Sequence, residues 1–117
     1  MAGGSDLSSV KEIRRNSEAT VITLRGDIDL HHVPQVHPVL LEECAQKPAR
    51  LIIDLAEVGY MDSSGVGVLV HAFQKTKANG GKLRLVGMNP RVRGIFEITK
   101  LDKYFVICST EREALAS

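Results

Sequence analysis

The stretch Arg50-Leu51-Ile52-Ile53-Asp54-Leu55, with Met61-Asp62-Ser63-Ser64-Gly65 after it and Val66 to Ala78 beyond, decides how this chain folds. Leu51 to Leu55 is a mostly apolar run of the kind found in a central buried strand. Met61 to Gly65 is a break. After it, Val66, Leu69, Val70 and Phe73 fall at i, i+3, i+4 and i+7, the spacing of a helix that buries one stripe. The spacing predicts a helix from about Ser64 to Ala78. Asn79-Gly80-Gly81 ends it with residues that accept positive φ.

Working outward, Lys82 to Val86 reads as a strand. Asn89 as N-cap and Pro90 at the first helical position then open a short helix through about Thr99. Ile95, Phe96 and Ile98 are expected to pack inward. Tyr104 to Cys108 is the last strand, and Thr110 three residues before Glu113 is a capping-box pattern for a terminal helix. On the other side, Ser8 to Arg15 reads as a weak edge strand and Asn16 to Glu18 as a turn. Ala19 to Gly26, with Val21, Ile22 and Leu24, reads as a second strand that forms a hairpin with the first. Gly26-Asp27-Ile28-Asp29 is expected to break that strand. A helix follows across residues 31–46, with Val33, Val36, Leu40, Leu41 and Cys44 on its stripe. Pro34 suits its first turn, whereas Pro38 is expected to kink it or delay its start. The order β-β-α-β-α-β-α-β-α predicts a single α/β domain over residues 8–117. Its sheet is five-stranded, mixed and mostly parallel, with about four helices. Residues 1–7, small and polar, read as a flexible tail.

Composition narrows the function. The 117 residues are 44% hydrophobic but only 4% aromatic, so one aliphatic core is expected. Net charge is +1, from 15 basic and 14 acidic residues, which argues against a nucleic-acid partner. Basic clusters at Lys11, Arg14 and Arg15, and at Arg91 and Arg93, are short enough to read as solvated surface. Cys44 and Cys108 lie far apart with no CxxC pattern, so neither a disulfide framework nor a zinc site is expected. No apolar run approaches the roughly 20 residues of a membrane span, and Met1 to Ser9 lacks the apolar stretch of a signal peptide. A cytoplasmic protein with no membrane partner and no cofactor is the expectation.

The chemistry concentrates at Asp62-Ser63-Ser64-Gly65, a loop between a strand end and a helix N-terminus. Open α/β sheets place their sites there. Asp62, Ser63 and Ser64 are all good N-caps, and one of them must serve. One cap suffices, which leaves a spare hydroxyl facing solvent. Gly65 and Gly67 each cost roughly 0.5–1 kcal/mol early in a helix, and close approach of another molecule is a reason to tolerate both. Catalysis by Ser63 would need a base, and Ser63 does not stand at the centre of G-x-S-x-G. There is no Walker phosphate loop either. His31, His32, His37 and His71 lack the spacing of a metal site.

The run Tyr60-Met61-Asp62-Ser63-Ser64-Gly65-Val66-Gly67-Val68-Leu69 closely resembles the phosphorylation motif of the bacterial anti-sigma factor antagonists. Leu24 to Asp29, Leu51 to Leu55, Asn79 to Leu83 and Val92 to Leu101 resemble further segments of that family in order, over about residues 8–116. The resemblance implies the STAS fold and a partner-switching cycle. In it, the unphosphorylated antagonist binds a kinase-like, ATP-binding anti-sigma factor and frees a sigma factor. Phosphorylation of the first hydroxyl after the motif Asp, here Ser63, switches binding off, and a serine phosphatase reverses it. Asp27, Asp29, Asp62, Ser64, Gly65 and Val68 are the expected partner-binding residues. Val68 and Ala72 lie off the apolar stripe of their helix, and an exposed apolar strip there would suit a partner surface. The chain would be a kinase substrate rather than an enzyme, and a monomer or weak dimer. Two other readings compete. One is a STAS adaptor in a lipid-transport, secretion-linked or other signalling complex. The other is a small hydrolase using Ser63. The unusual start of the first helix, Leu30-His31-His32-Val33-Pro34, departs from the family and bears on which partner is recognised.

Overall fold

Asn16 closes the first hairpin with its own side chain. Its Oδ1 accepts from the backbone N–H groups of Glu18 (2.7 Å) and Ala19 (2.9 Å), the local bonding that makes Asn a turn residue. In a computed structural model, which describes residues 8–117, this turn joins β1 (Val10–Arg15) to β2 (Thr20–Ile28) in antiparallel pairing. The tail expected over residues 1–7 lies outside the described residues. Then follow α1 (Val33–Ala45), β3 (Arg50–Met61), α2 (Ser63–Ala78), β4 (Lys82–Val86), α3 (Pro90–Ile98), β5 (Val106–Cys108) and α4 (Glu111–Ala116). The five strands stand in the sheet in chain order, and every pair after the first is parallel. This is the order and mixed sheet expected from the sequence.

Strand alternation divides the sheet into two unequal faces. On one, Ile22, Leu24, Leu51, Ile53, Leu55, Leu83 and Leu85 meet Val36 and Leu40 of α1, Leu69 of α2, and Val92 and Phe96 of α3. On the other, Val21, Ile52 and Val86 meet Ala19 and a single side chain of α4, Ala114. A fully buried Leu or Ile contributes roughly 1.5–3 kcal/mol, so the first face carries most of the burial energy. The terminal helix is held by the expected cap, with Glu113 N–H donating to Thr110 Oγ1 at 3.2 Å. Asn89 likewise caps α3, accepting from the N–H of Val92 at 2.8 Å.

The structure departs from the sequence reading at several points. β2 runs through Gly26 to Ile28, because Gly26 takes φ 76° where the register with β3 shifts. β3 likewise continues past Leu55 to Met61. α1 starts at Val33 and passes through Pro38, which faces solvent, as does Pro34, whose carbonyl loses its partner. Ile98 is 83% exposed, because the buried stripe of α3 is set by Val92 and Phe96 and residue 98 lies off it. β5 begins at Val106 rather than Tyr104. The N–H groups of Tyr104 and Phe105 instead turn back to the carbonyl of Leu101, and the Tyr104 ring packs on Phe73 at 4.7 Å.

The basic cluster of β1 is used within the molecule. Lys11 pairs with Glu57, Arg14 with Glu111, and Arg15 grips both carboxylate oxygens of Glu43 at 2.9 and 2.5 Å. The first two pairs are exposed and contribute little. Glu43 is only 2% exposed on α1, and Arg15 is the cation that pairs with it. Arg15→Ala is expected to lower stability, since it strands a buried carboxylate, although Arg15 itself is half in solvent. Urea unfolding should give that loss, and Arg15→Ala combined with Glu43→Leu should recover most of it.

Candidate functional site

β2 and β3 run parallel and end in register, with Ile28 beside Met61. Asp29 and Asp62 therefore leave the sheet as neighbours, and the Asp62 N–H donates to the Ile28 carbonyl at 3.4 Å. α2 starts at once, so its N-terminus lies at the carboxyl end of the sheet. Asp62, in extended conformation, is the N-cap. Its Oδ1 accepts from the N–H groups of Ser64 (2.9 Å) and Gly65 (3.2 Å). Its Oδ2 reaches across to accept from the N–H of Leu30 (3.1 Å), in the loop between β2 and α1. One carboxylate thus caps the helix and fixes the neighbouring loop.

That settles which of the three cap candidates serves, and it leaves Ser63 at the first helical position, exposed. Ser64, half-buried, gives its N–H to Asp62. Asp29 acts as a turn residue. Its Oδ1 accepts from the N–H groups of His31 (3.1 Å) and His32 (3.2 Å) and meets His32 Nδ1 at 2.6 Å. The bond from His32 holds the Asp29 carboxyl below the usual carboxylate range. The pairing of Asp29 with His32 has a signal in the sequence, an i, i+3 spacing, which a reading of the histidines as bases or metal ligands does not use. Asp27 lies on the last part of β2, exposed and in register with Tyr60. Asp27, Asp29, Asp62 and Ser63 therefore share one end of the sheet.

Two of the sequence-predicted contact residues are not at the surface. Gly65 is buried, and the close approach its missing side chain permits is that of the chain's own β2. A Cβ there would come within 2.7 Å of Met61 Cγ and nearer still to the Ile28 carbonyl oxygen. Val68 is 7% exposed and Ala72 fully buried, so the apolar strip expected there faces inward. The reason is that α2 packs on α1 as well as on the sheet, which widens its buried face beyond one stripe. Its exposed side instead carries Ser63, Gly67 and Gln74. Around Gly67 an added Cβ would meet nothing within 4 Å.

As chemistry, the site offers a solvent-facing hydroxyl at the positive end of a helix dipole among three carboxylates. Asp62, His32, His37 and His71, which could serve a serine nucleophile as a base, are engaged elsewhere. Both oxygens of Asp62 accept backbone N–H groups, His32 is on Asp29, and His37 Nε2 meets His71 Nδ1 at 2.9 Å across α1 and α2. Among the described residues no group of three or more His, Cys, Asp or Glu side chains is placed to hold a metal ion.

Comparison with known proteins bears on the fold and the family. The family model for the STAS domain matches residues 10–114. The anti-sigma-B factor antagonist of Listeria monocytogenes is 35% identical over 105 residues, which is 90% of this chain and 92% of that protein. The crystal structure of an anti-sigma factor antagonist from Mycobacterium paratuberculosis superposes with a TM-score of 0.82 at 27% identity, over 90% of this chain and 89% of the other. The Bacillus cell fate determinant SpoIIAA in its phosphorylated form superposes with a TM-score of 0.69 at 27% identity, over 90% and 96% of the two chains.

Proposed function

This chain belongs to the STAS-domain family, and from that premise we propose that it is an anti-sigma factor antagonist switched by phosphorylation of Ser63. The observation that carries the reading is the division of labour at the start of α2. Asp62 does the capping, and Ser63 is left exposed with no structural duty. A relative that bears the same role by name and a similar fold known in a phosphorylated form support it. The partner is a kinase-like anti-sigma factor that holds ATP, and a serine phosphatase resets the cycle. Asp27, Asp29 and Ser64 contribute to the contact surface, with Asp62 orienting the serine. Gly65 contributes by seating the helix, and Val68 belongs to the core.

The physics of the switch follows from charge. A phosphate adds about −1.5 to −2 charges at pH 7. The helix N-terminus tolerates an anion, so the fold persists. The new charge joins Asp62, Asp29 and Asp27 in one negative patch, and a partner shaped for a neutral hydroxyl meets repulsion and a charge it cannot pair.

The test uses the kinase-like anti-sigma factor of the same organism, with ATP and magnesium, and reads intact mass with site mapping. One phosphate is expected, on Ser63, and none on Ser63→Ala. A stable complex without any phosphate addition would overturn the switch and leave a passive adaptor.

A further inference from the structure

Toward the far end of α2 from Ser63, a groove half open to solvent, with room for about 430 Å³, lies between the C-terminal turns of α1 and α2. Its floor is Leu41, Cys44 and Ala45, and its polar groups are Lys47, Lys75 and Asn79. The volume falls in the range of roughly 300–1,000 Å³ typical of small-molecule sites, and an apolar floor with few polar groups is their usual lining. We propose that this groove binds an amphipathic monoanion, an aliphatic carboxylate of medium chain length, with its tail on Leu41 and Ala45 and its head between Lys47 and Lys75.

Charge decides the class. No carboxylate lines the groove, and among the described residues neither lysine has an ion-pair partner. Each helix C-terminus presents about half a negative charge, so two of them offset about one of the two lysine charges. One positive charge is left over, which suits a monoanion better than a phosphate dianion. Asn79 uses its Nδ2 on the Cys44 carbonyl (3.0 Å), so it caps α1 and removes an acceptor that would repel an anion. Lys47 sits just past α1 at φ 55°, a left-handed position that glycine usually takes after a helix, yet here the chain keeps a cation. The floor has no aromatic ring for a nucleobase to stack on, so the apolar part is aliphatic. Cys44 is inert in this site, because burial pushes its thiol pKa up.

Lys75, the residue of α2 that lines the groove, lies 12 residues and about 18 Å along the helix from Ser63, so a ligand there leaves the proposed switch surface uncovered. The inference therefore stands or falls apart from that reading. It is tested by titrating the whole protein with decanoate, below its aggregation concentration, and following backbone amide signals by NMR. Saturable shifts centred on Leu41, Ala45 and Lys75 are expected. Affinity should fall about tenfold in Lys47→Ala with Lys75→Ala, both exposed positions, and by a similar factor for decanol on the native chain. Absence of saturable shifts, equal affinity for decanol, or undiminished binding by the double variant would each overturn it.

Discussion

Ser63→Asp is expected to weaken binding of the kinase-like anti-sigma factor by about 100-fold or more, because a like charge forced into a fitted interface costs several kcal/mol. The same change should leave the melting temperature within a degree or two of the native value, since Ser63 is exposed and an acidic residue in the first turn of a helix opposes no dipole. The two readouts together isolate the mechanism. Loss of binding with loss of stability would mean that Ser63 supports the fold. Retained binding would mean that the surface does not read charge at this position. Ser63→Ala should bind like the native chain, because it removes only the hydroxyl and Asp62 keeps the cap. Surface plasmon resonance with the three chains over one immobilised partner gives the comparison.

The second large effect falls on the residue two places on. Gly65→Ala is expected to destabilise the domain by about 3 kcal/mol, at the upper end of overpacking penalties. The alternative reading of a helical glycine predicts the opposite sign, because Ala is the better helix former by roughly 1 kcal/mol. Geometry decides between them. The added Cβ meets the Ile28 carbonyl, which is backbone of β2, and Met61 Cγ at 2.7 Å, which lies in the core. Neither moves cheaply, so overpacking wins. Gly67→Ala is the control. It has open space around its Cβ position, so the helix-propensity gain should appear there. Thermal unfolding of the two variants should shift the midpoint in opposite directions, by roughly 10 °C downward for residue 65.

The sequence made the fold legible wherever a local signal and a tertiary demand agreed. β4 runs over the residues expected of it, and the caps of α3 and α4 are the side chains expected, because Asn89 and Thr110 act within one turn of their own positions. The failures share one cause. Val68 reads as exposed from the periodicity of a single helix and Gly65 as a place for another molecule to approach, whereas their burial comes from α1 and from the end of β2, which no window on α2 contains. Ile98 failed the other way, an apolar residue with no neighbour to meet. In the candidate site, the choice among Asp62, Ser63 and Ser64 was open in the sequence. Asp62 is singled out because its second oxygen also has a partner, the N–H of Leu30, 32 residues away in the chain.

The strand order, β1 to β5 in the sequence of the chain, also bears on how the molecule is made. Each strand docks on the one completed just before it, so no closing loop is longer than a single crossover. That keeps contact order low for a sheet with so much parallel pairing, and long-range closure is what slows folding. On a ribosome, β1, β2, α1, β3 and α2 have all emerged by Ala78, and these are the elements that hold Asp29, Asp62 and Ser63 in place. The hydroxyl-bearing end of the sheet is thus drafted early in synthesis, and the later strands and helices finish the core beneath it.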